Sequence, residues 1–178
     1  MKLYLARHCR TNYNELELCN ADPTIDVHLT SGGIKQAEAL AEKLKPIPID
    51  HIFASELKRT MQTAEIINRF HHLGIEVDTR LNDIYSEFEG RHFSEYMKAL
   101  DAVSDRWTIH FNGGESIEDL KARTAHFIDE LRSKPYDSIL VITSEWNIRA
   151  MLTLLQGSSN EKAWSVDVEQ GGYVELEI

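Results

Sequence analysis

The chain has 178 residues, of which 42% are hydrophobic and 27% are charged, and its formal net charge at pH 7 is -10. This length and composition predict one packed domain over residues 1–178 and exclude an intrinsically disordered protein. The acidic balance disfavours a nucleic-acid-binding protein, because such proteins neutralise phosphates with a basic stripe that this sequence lacks.

Strand and helix patterns alternate along the chain. Apolar runs at 2–6, 51–54 and 138–143 predict buried strands. Apolar residues at helical spacing predict a helix from Ser31 that Pro46 ends, and further helices over 57–70, 116–133 and 148–155. The last stretch, 165–178, is expected to form a hairpin or edge strands. This alternation predicts an α/β fold, a three-layer α/β/α sandwich with a mostly parallel central sheet.

Polar residues follow the end of each predicted strand. Arg7 and His8 come after the first strand, the segment 55–59 follows the second, and 144–145 follows the third; the acidic loop 81–90 lies between them in sequence. In open α/β sheets, ligands bind beyond the carboxyl ends of the strands. The arginine fork matches phosphate oxygens, and a neutral imidazole can attack phosphorus. The pattern therefore suits phosphoryl chemistry.

The remaining composition argues against several other classes. No apolar run approaches the roughly 20 residues that a membrane helix needs, and no signal-peptide pattern opens the chain, so a cytoplasmic protein without a membrane partner is expected. Cys9 and Cys19 have no metal-ligand spacing, which predicts reduced thiols and no metal or other cofactor.

Six segments resemble, in order, the motifs of the histidine phosphatase superfamily. The chain's RHCRTNYN resembles the RHGxTxxN signature, and LTSGGIKQAEAL and FASELKRTMQTAEII resemble the LTxxGxxQA and SxLxRAxQTA segments. LNDIYSEFEG is similar to the loop that supplies the proton donor, GGES to a recurrent turn, and SILVITSEWNIRAML to VVSHGGVIRAL. The resemblance spans about the whole chain and implies a phosphoglycerate mutase-like fold.

The resemblance also implies roles for individual residues. His8 would be the nucleophile that becomes phosphohistidine, while Arg7 and Arg59 would hold the phosphate. Asn14 would contact the phosphate from its loop, and Thr11 would line the same site.

The proton donor of the family is usually a glutamate. At that position the chain has Asp83, which is one methylene shorter. Glu87 and Glu89 lie close enough in sequence to remain alternatives.

Two departures from the family pattern concern the site itself. Cys9 replaces the glycine after the nucleophilic histidine, and Ser144 stands where the family has its second histidine. Glu145 and Trp146 replace the glycine pair that normally follows. Serine is shorter and neutral, and removing one transition-state donor costs roughly 10²- to 10³-fold in other enzymes. Glu145 would repel a phosphate if it faces the site, and would be harmless if it points to solvent.

Three explanations for Ser144 stay open. The missing donor could come from elsewhere, with Trp146, Arg149 or Arg10 as candidates; the lineage could have kept phosphate binding and lost turnover; or the residue could be a deliberate change.

Several other residues have structural interpretations. Arg69, Arg123 and Arg132 are expected to be solvated on helix surfaces.

The segment 91–112 carries no motif and is expected to form a flap over the site. A cysteine-phosphatase loop is excluded, because the arginine that it requires falls at Glu15 when counted from Cys9.

The leading hypothesis is a metal-independent phosphatase that hydrolyses a small phosphate monoester through phospho-His8, with Ser144 as the substitution that would weaken it. The alternatives are a catalytically impaired relative that binds inorganic phosphate, a phosphorylated ligand or a phosphoprotein, and a phosphoglycerate mutase-type phosphotransferase. The identity of the phosphate ester and the oligomeric state are open at this point.

Overall fold

A computed structural model describes all residues from Met1 to Ile178. Its helices and strands follow in the order β1 (Lys2–Arg7), α1 (Asn12–Glu15), α2 (Ser31–Leu44), β2 (His51–Ala54), α3 (Lys58–Asn68), β3 (Ile75–Val77), α4 (Phe93–Asp101), α5 (Ile117–Leu131), β4 (Ser138–Thr143), α6 (Glu145–Gln156), α7 (Asn160–Trp164) and β5 (Tyr173–Glu177). A short 3₁₀ turn, Thr79–Leu81, follows β3.

The five strands form one sheet in the order β3-β2-β4-β1-β5. The pairs β3–β2, β2–β4 and β4–β1 are parallel, and β5 is antiparallel to β1 at the edge. The structure therefore confirms the predicted α/β fold with a mostly parallel sheet. The C-terminal stretch contributes one edge strand and not a hairpin.

Alternate residues of the central strands pack against helices on opposite faces of the sheet. Tyr4 and Ala6 of β1 belong to a core cluster with α2 and α3, whereas Leu3 and Leu5 belong to a second cluster with α5 and α6. Because successive side chains of a strand point to opposite faces, the fully apolar runs of β1 and β4 are what a sheet covered on both sides requires. This arrangement is the predicted three-layer sandwich.

The helix boundaries largely follow the sequence signals. Thr30 caps α2 by accepting a hydrogen bond from the backbone N–H of Gly33, and α2 ends at Leu44, two residues before Pro46. α6 begins at Glu145, three residues before the predicted start at Ile148. None of the helices combines the length and the apolar character that crossing a membrane requires.

Candidate active site

A cavity of about 580 Å³ lies at the carboxyl ends of the parallel strands. Most of the predicted site residues line it, namely Arg7, His8, Thr11, Asn14, Arg59, Asp83 and Glu145. Ser144 does not reach the cavity wall, but its hydroxyl donates a hydrogen bond to Asp83 behind it. The fold thus brings together the residues that follow β1, β2 and β4, as their positions predicted.

His8 is held as a neutral imidazole. Its side chain is 4% exposed, and Nδ1 lies 2.9 Å from the carbonyl oxygen of Cys9. Since a carbonyl can only accept, Nδ1 carries the proton and Nε2 keeps a free lone pair. Burial, and secondarily the charges of Arg59 and Arg7, holds the pKa of His8 well below its usual value. His8 therefore has the protonation state that a nucleophile needs.

Cys9 points away from the cavity. It is fully buried in the core cluster beneath α2, and its Sγ would lie 3.2 Å from a Cβ at Gly171. Burial raises the pKa of its thiol to about 11. The side chain that replaces the family glycine is therefore an unreactive part of the core.

Arg59 is a buried cation that side chains and backbone already hold. Its Nη1 donates to Oδ1 of Asn20 at 2.6 Å, and its Nη2 donates to the Asn20 carbonyl at 2.9 Å and to Oδ2 of Asp83 at 3.1 Å. Burial lowers the pKa of the guanidinium, and the charge of Asp83 opposes this effect. The sequence offered no signal for Asn20, which lies between motifs.

Arg7 is paired with Glu145. Nη1 of Arg7 donates to the Val168 carbonyl at 2.6 Å and lies 2.9 Å from Oε2 of Glu145. The other oxygen of Glu145 accepts from Arg149 at 2.6 Å. Of the two orientations that the sequence left open for Glu145, the structure shows the one that faces the cavity.

The three candidate acids lie in different places. Asp83 lines the cavity and contacts Arg59. Glu89 instead accepts hydrogen bonds from Nδ2 of Asn20 and from the backbone N–H of Ala21, both at 2.7 Å, and Glu87 bonds to Asn112. Of the three candidate acids, Asp83 is the one that lies beside Arg59 and lines the cavity.

Thr11 and Asn14 share hydrogen bonds at the start of α1. The Thr11 hydroxyl accepts from the backbone N–H of Asn14 at 3.1 Å, while Oδ1 of Asn14 accepts from the backbone N–H of Thr11 at 3.0 Å. This reciprocal capping fixes the loop after His8. Nδ2 of Asn14 makes no bond within the protein and is free to serve a ligand in the cavity.

The interpretation of Arg123 as a solvated residue was wrong. From α5, its Nε and Nη2 bind Glu115 at 2.7 and 3.0 Å, and Nη2 also donates to the backbone carbonyl of Asp83 at 3.2 Å. Its Nη1 donates to Oδ1 of Asn147 at 3.3 Å. Helical periodicity places Arg123 on α5 but does not show that a polar loop covers that face.

The other candidate donors do not surround a phosphate site. Arg149 donates to Glu145 and to the Val166 carbonyl, and the side chain of Arg10 is 53% exposed beside Glu15. Trp146 lines the cavity within an aromatic cluster with Tyr96. No group of three or more His, Cys, Asp or Glu side chains is arranged to hold a metal ion.

Comparisons with known proteins give the family. The sequence profile of the histidine phosphatase superfamily (branch 1) matches residues 3–178. Phosphoserine phosphatase 1 of Hydrogenobacter thermophilus is 29% identical over 97% of this chain and 84% of its own length. The adenosylcobalamin/alpha-ribazole phosphatase of Escherichia coli is 27% identical over 100% of this chain and 90% of its own length.

The fold agrees with this assignment. The crystal structure of the alpha-ribazole phosphatase from Shigella flexneri superposes with a TM-score of 0.85 at 26% identity, covering 100% of this chain and 91% of that one. The motif order, the cavity at the carboxyl edge of the sheet and the phosphatase relatives agree, and the chain belongs to the histidine phosphatase superfamily.

Proposed function

We propose that the chain hydrolyses a small phosphate monoester through a covalent phosphohistidine on Nε2 of His8. In the first step the Nε2 lone pair forms a bond to phosphorus while the bond from phosphorus to the ester oxygen breaks. Asp83, in its acid form, gives its proton to the departing oxygen, which leaves as an alcohol. Arg7 and Arg59 neutralise the charge on the remaining phosphoryl oxygens.

The second step returns the protein to its starting state. A water molecule attacks phosphorus, Asp83 accepts a proton from that water, and the bond from Nε2 to phosphorus breaks. Inorganic phosphate leaves, His8 is again neutral and Asp83 is again an acid. No redox partner, nucleotide or metal enters this balance.

The observation that carries the proposal is the state of His8. The Cys9 carbonyl fixes the proton on Nδ1, and burial beside two guanidinium groups keeps the ring uncharged. For a histidine with a structural role alone, a position near Arg7 and Arg59 brings no stabilising interaction, because both cations oppose protonation of the ring. A nucleophile does gain, since the same cations attract the phosphate that it attacks.

The cavity supports an organic phosphate as the substrate. Beyond the polar end, its wall carries apolar side chains, including Tyr13, Leu18, Phe93, Met97 and Trp146. The relatives are phosphatases of phosphoserine and of alpha-ribazole by name. We propose that residues 1–178 form a single domain. Within it, helix α4 of the segment 91–112 lines the outer wall of the cavity. We propose that this segment is the flap that selects the alcohol part of the ester.

The test is phosphate release from a panel of aryl and alkyl phosphomonoesters, with no metal added, over about pH 5 to 8. His8→Ala should abolish turnover. His126→Ala is the matched control, because His126 is exposed on α5 and should not affect the reaction. Brief incubation with labelled substrate should leave an acid-labile, alkali-stable label on the unchanged chain and none on His8→Ala.

Other outcomes would identify the alternative functions. Phosphate binding without turnover in the unchanged chain would indicate an impaired binding relative, and turnover only in Ser144→His would show that the second histidine is indispensable. Transfer of the label to a second alcohol in preference to water would indicate a phosphotransferase of the mutase type.

A further inference from the structure

Ser144 does not cap α6 in the usual way. An N-cap serine or threonine normally accepts a hydrogen bond from a backbone N–H of the first turn, as Thr30 does for α2 and Ser116 does for α5. The side chain of Ser144 accepts no such bond. Instead its hydroxyl donates to Oδ1 of Asp83 at 2.9 Å and accepts from Nδ2 of Asn147 at 3.1 Å.

Donor and acceptor chemistry gives this chain of hydrogen bonds a direction. The amide of Asn147 is oriented by its other partners, because Oδ1 accepts from Nη1 of Arg123 and Nδ2 donates to the Asn82 carbonyl at 2.7 Å. The second hydrogen of Nδ2 is shared between the Ser144 hydroxyl at 3.1 Å and the Leu81 carbonyl at 3.3 Å. Nδ2 therefore faces Ser144 as a donor, and the serine oxygen accepts. The hydroxyl proton of Ser144 is then left to point at Asp83.

The two oxygens of Asp83 consequently differ. Oδ1 accepts from the Ser144 hydroxyl and from the backbone N–H of Ile84, both at 2.9 Å, so both of its lone pairs are used. Oδ2 accepts a single hydrogen bond, from Nη2 of Arg59 at 3.1 Å, which leaves its second lone pair unused. When Asp83 is in its acid form, the proton has room only on Oδ2, which is the oxygen beside the phosphate-holding arginine.

We propose that Ser144, oriented by Asn147, is a positioning residue that keeps Oδ1 of Asp83 an acceptor and so directs the acid proton to Oδ2. This inference rests on the proposed phosphatase function. It gives Ser144 a different role from the family histidine at that position, because the serine acts on the proton donor and not on the phosphate. Asn147 is buried completely and sits at the third position of α6, where it reaches the Ser144 hydroxyl.

Leaving-group dependence separates this role from a structural one. Departing p-nitrophenolate needs no proton, whereas an alkoxide does, so only the alkyl ester depends on the placement of the acid. The test measures kcat/KM for p-nitrophenyl phosphate and for the best alkyl phosphate of the panel, because kcat/KM reports the transfer to His8. In Ser144→Ala the ratio of alkyl to aryl kcat/KM should fall about ten- to hundredfold. Ser144→Thr keeps the hydroxyl and should restore the ratio.

Ser138→Ala is the control, because it also removes a buried serine hydroxyl but lies at the start of β4, away from Asp83. Ser138 is 5% exposed at the opposite end of β4, and its hydroxyl has no partner, so the ratio should stay as in the unchanged chain. An equal loss for both esters in Ser144→Ala, or no change in either, would overturn the positioning role while leaving the phosphatase intact. Absence of His8-dependent turnover in the unchanged chain would instead overturn the proposed function, and this inference with it.

Discussion

At the scale of single residues, we expect the Glu145 carboxylate to compete with a bound phosphate for Arg7. The pair is 2.9 Å apart, and both side chains are only 17% exposed. A phosphate that binds Arg7 must therefore share the guanidinium with a negative charge or displace it. Glu145→Gln keeps the shape of the side chain and removes that charge. We expect the dissociation constant of inorganic phosphate, measured as a competitive inhibitor, to fall about fivefold, which corresponds to roughly 1 kcal/mol.

Glu175→Gln provides the matched comparison for this change. Glu175 pairs with Lys2 at 2.9 Å on the sheet edge and does not line the cavity. Its substitution should leave phosphate binding unchanged, because exposed charges beyond a Debye length are screened. Unchanged or weaker phosphate binding in Glu145→Gln would show that Glu145 does not compete for Arg7.

The sequence predicted the meeting of His8, Arg7 and Asp83 because motif order and the sheet edge constrain where such residues lie. The sequence could not predict which side chain each charged residue pairs with. Glu145 reaches Arg7 across 138 positions of sequence only because β4 pairs in parallel with β1, so that both strand ends lie side by side. The pairing of Arg123 with Glu115 and with the Asp83 carbonyl likewise depends on a loop that no periodic pattern describes.

At the scale of elements, the first turn of α2 packs directly on the loop that carries His8. A Cβ at Gly33 would lie 2.0 Å from the Arg10 carbonyl oxygen. Since that neighbour is backbone, Gly33→Ala must push the loop away from α2. We expect a loss of about 2–3 kcal/mol in the free energy of unfolding, measured by urea denaturation, together with weaker phosphate binding.

Gly32→Ala, one residue earlier in the same turn, separates crowding from helix propensity. Its Cβ would meet nothing closer than 3.7 Å, so this variant should be neutral or about 0.5 kcal/mol more stable. Equal effects of the two substitutions would mean that the close contact with Arg10 does not constrain the loop.

The long elements were predictable from sequence, and so were the short strands β2 and β5, whereas the short strand β3 was not. α2 and α5 bury one helical stripe, and β4 is buried throughout with four consecutive apolar residues, so their patterns are strong. β3 has three residues, two of them exposed, and presents too little apolar surface for a pattern. The alternating residues of 165–178 predicted edge strands or a hairpin, and β5 is the edge strand. The choice between the two depended on pairing with β1 at the other end of the chain, which leaves no local signal.

At the scale of the whole molecule, burying His8 couples the site to global stability. The folded-state pKa of His8 lies well below the usual value of 6.5, chiefly through burial. Between the two values the unfolded chain binds a proton that the folded protein does not. The free energy of unfolding therefore rises with pH through this window. As the pH falls below about 6.5, the contribution of neutral His8 to stability decreases.

One titrating group contributes a slope of up to roughly 1.4 kcal/mol per pH unit in the free energy of unfolding. His8→Gln cannot take up a proton, so urea denaturation at about pH 5 to 7 should show a shallower loss of stability on acidification than in the unchanged chain. His126→Gln, at an exposed position of α5, should keep the original slope. Titrating groups common to the three proteins cancel in the comparison, which leaves the His8 contribution.

Identical slopes in His8→Gln and the unchanged chain would mean that the folded protein protonates His8 as readily as the unfolded chain does. The imidazole would then be a cation at mildly acidic pH, and it could not attack phosphorus there.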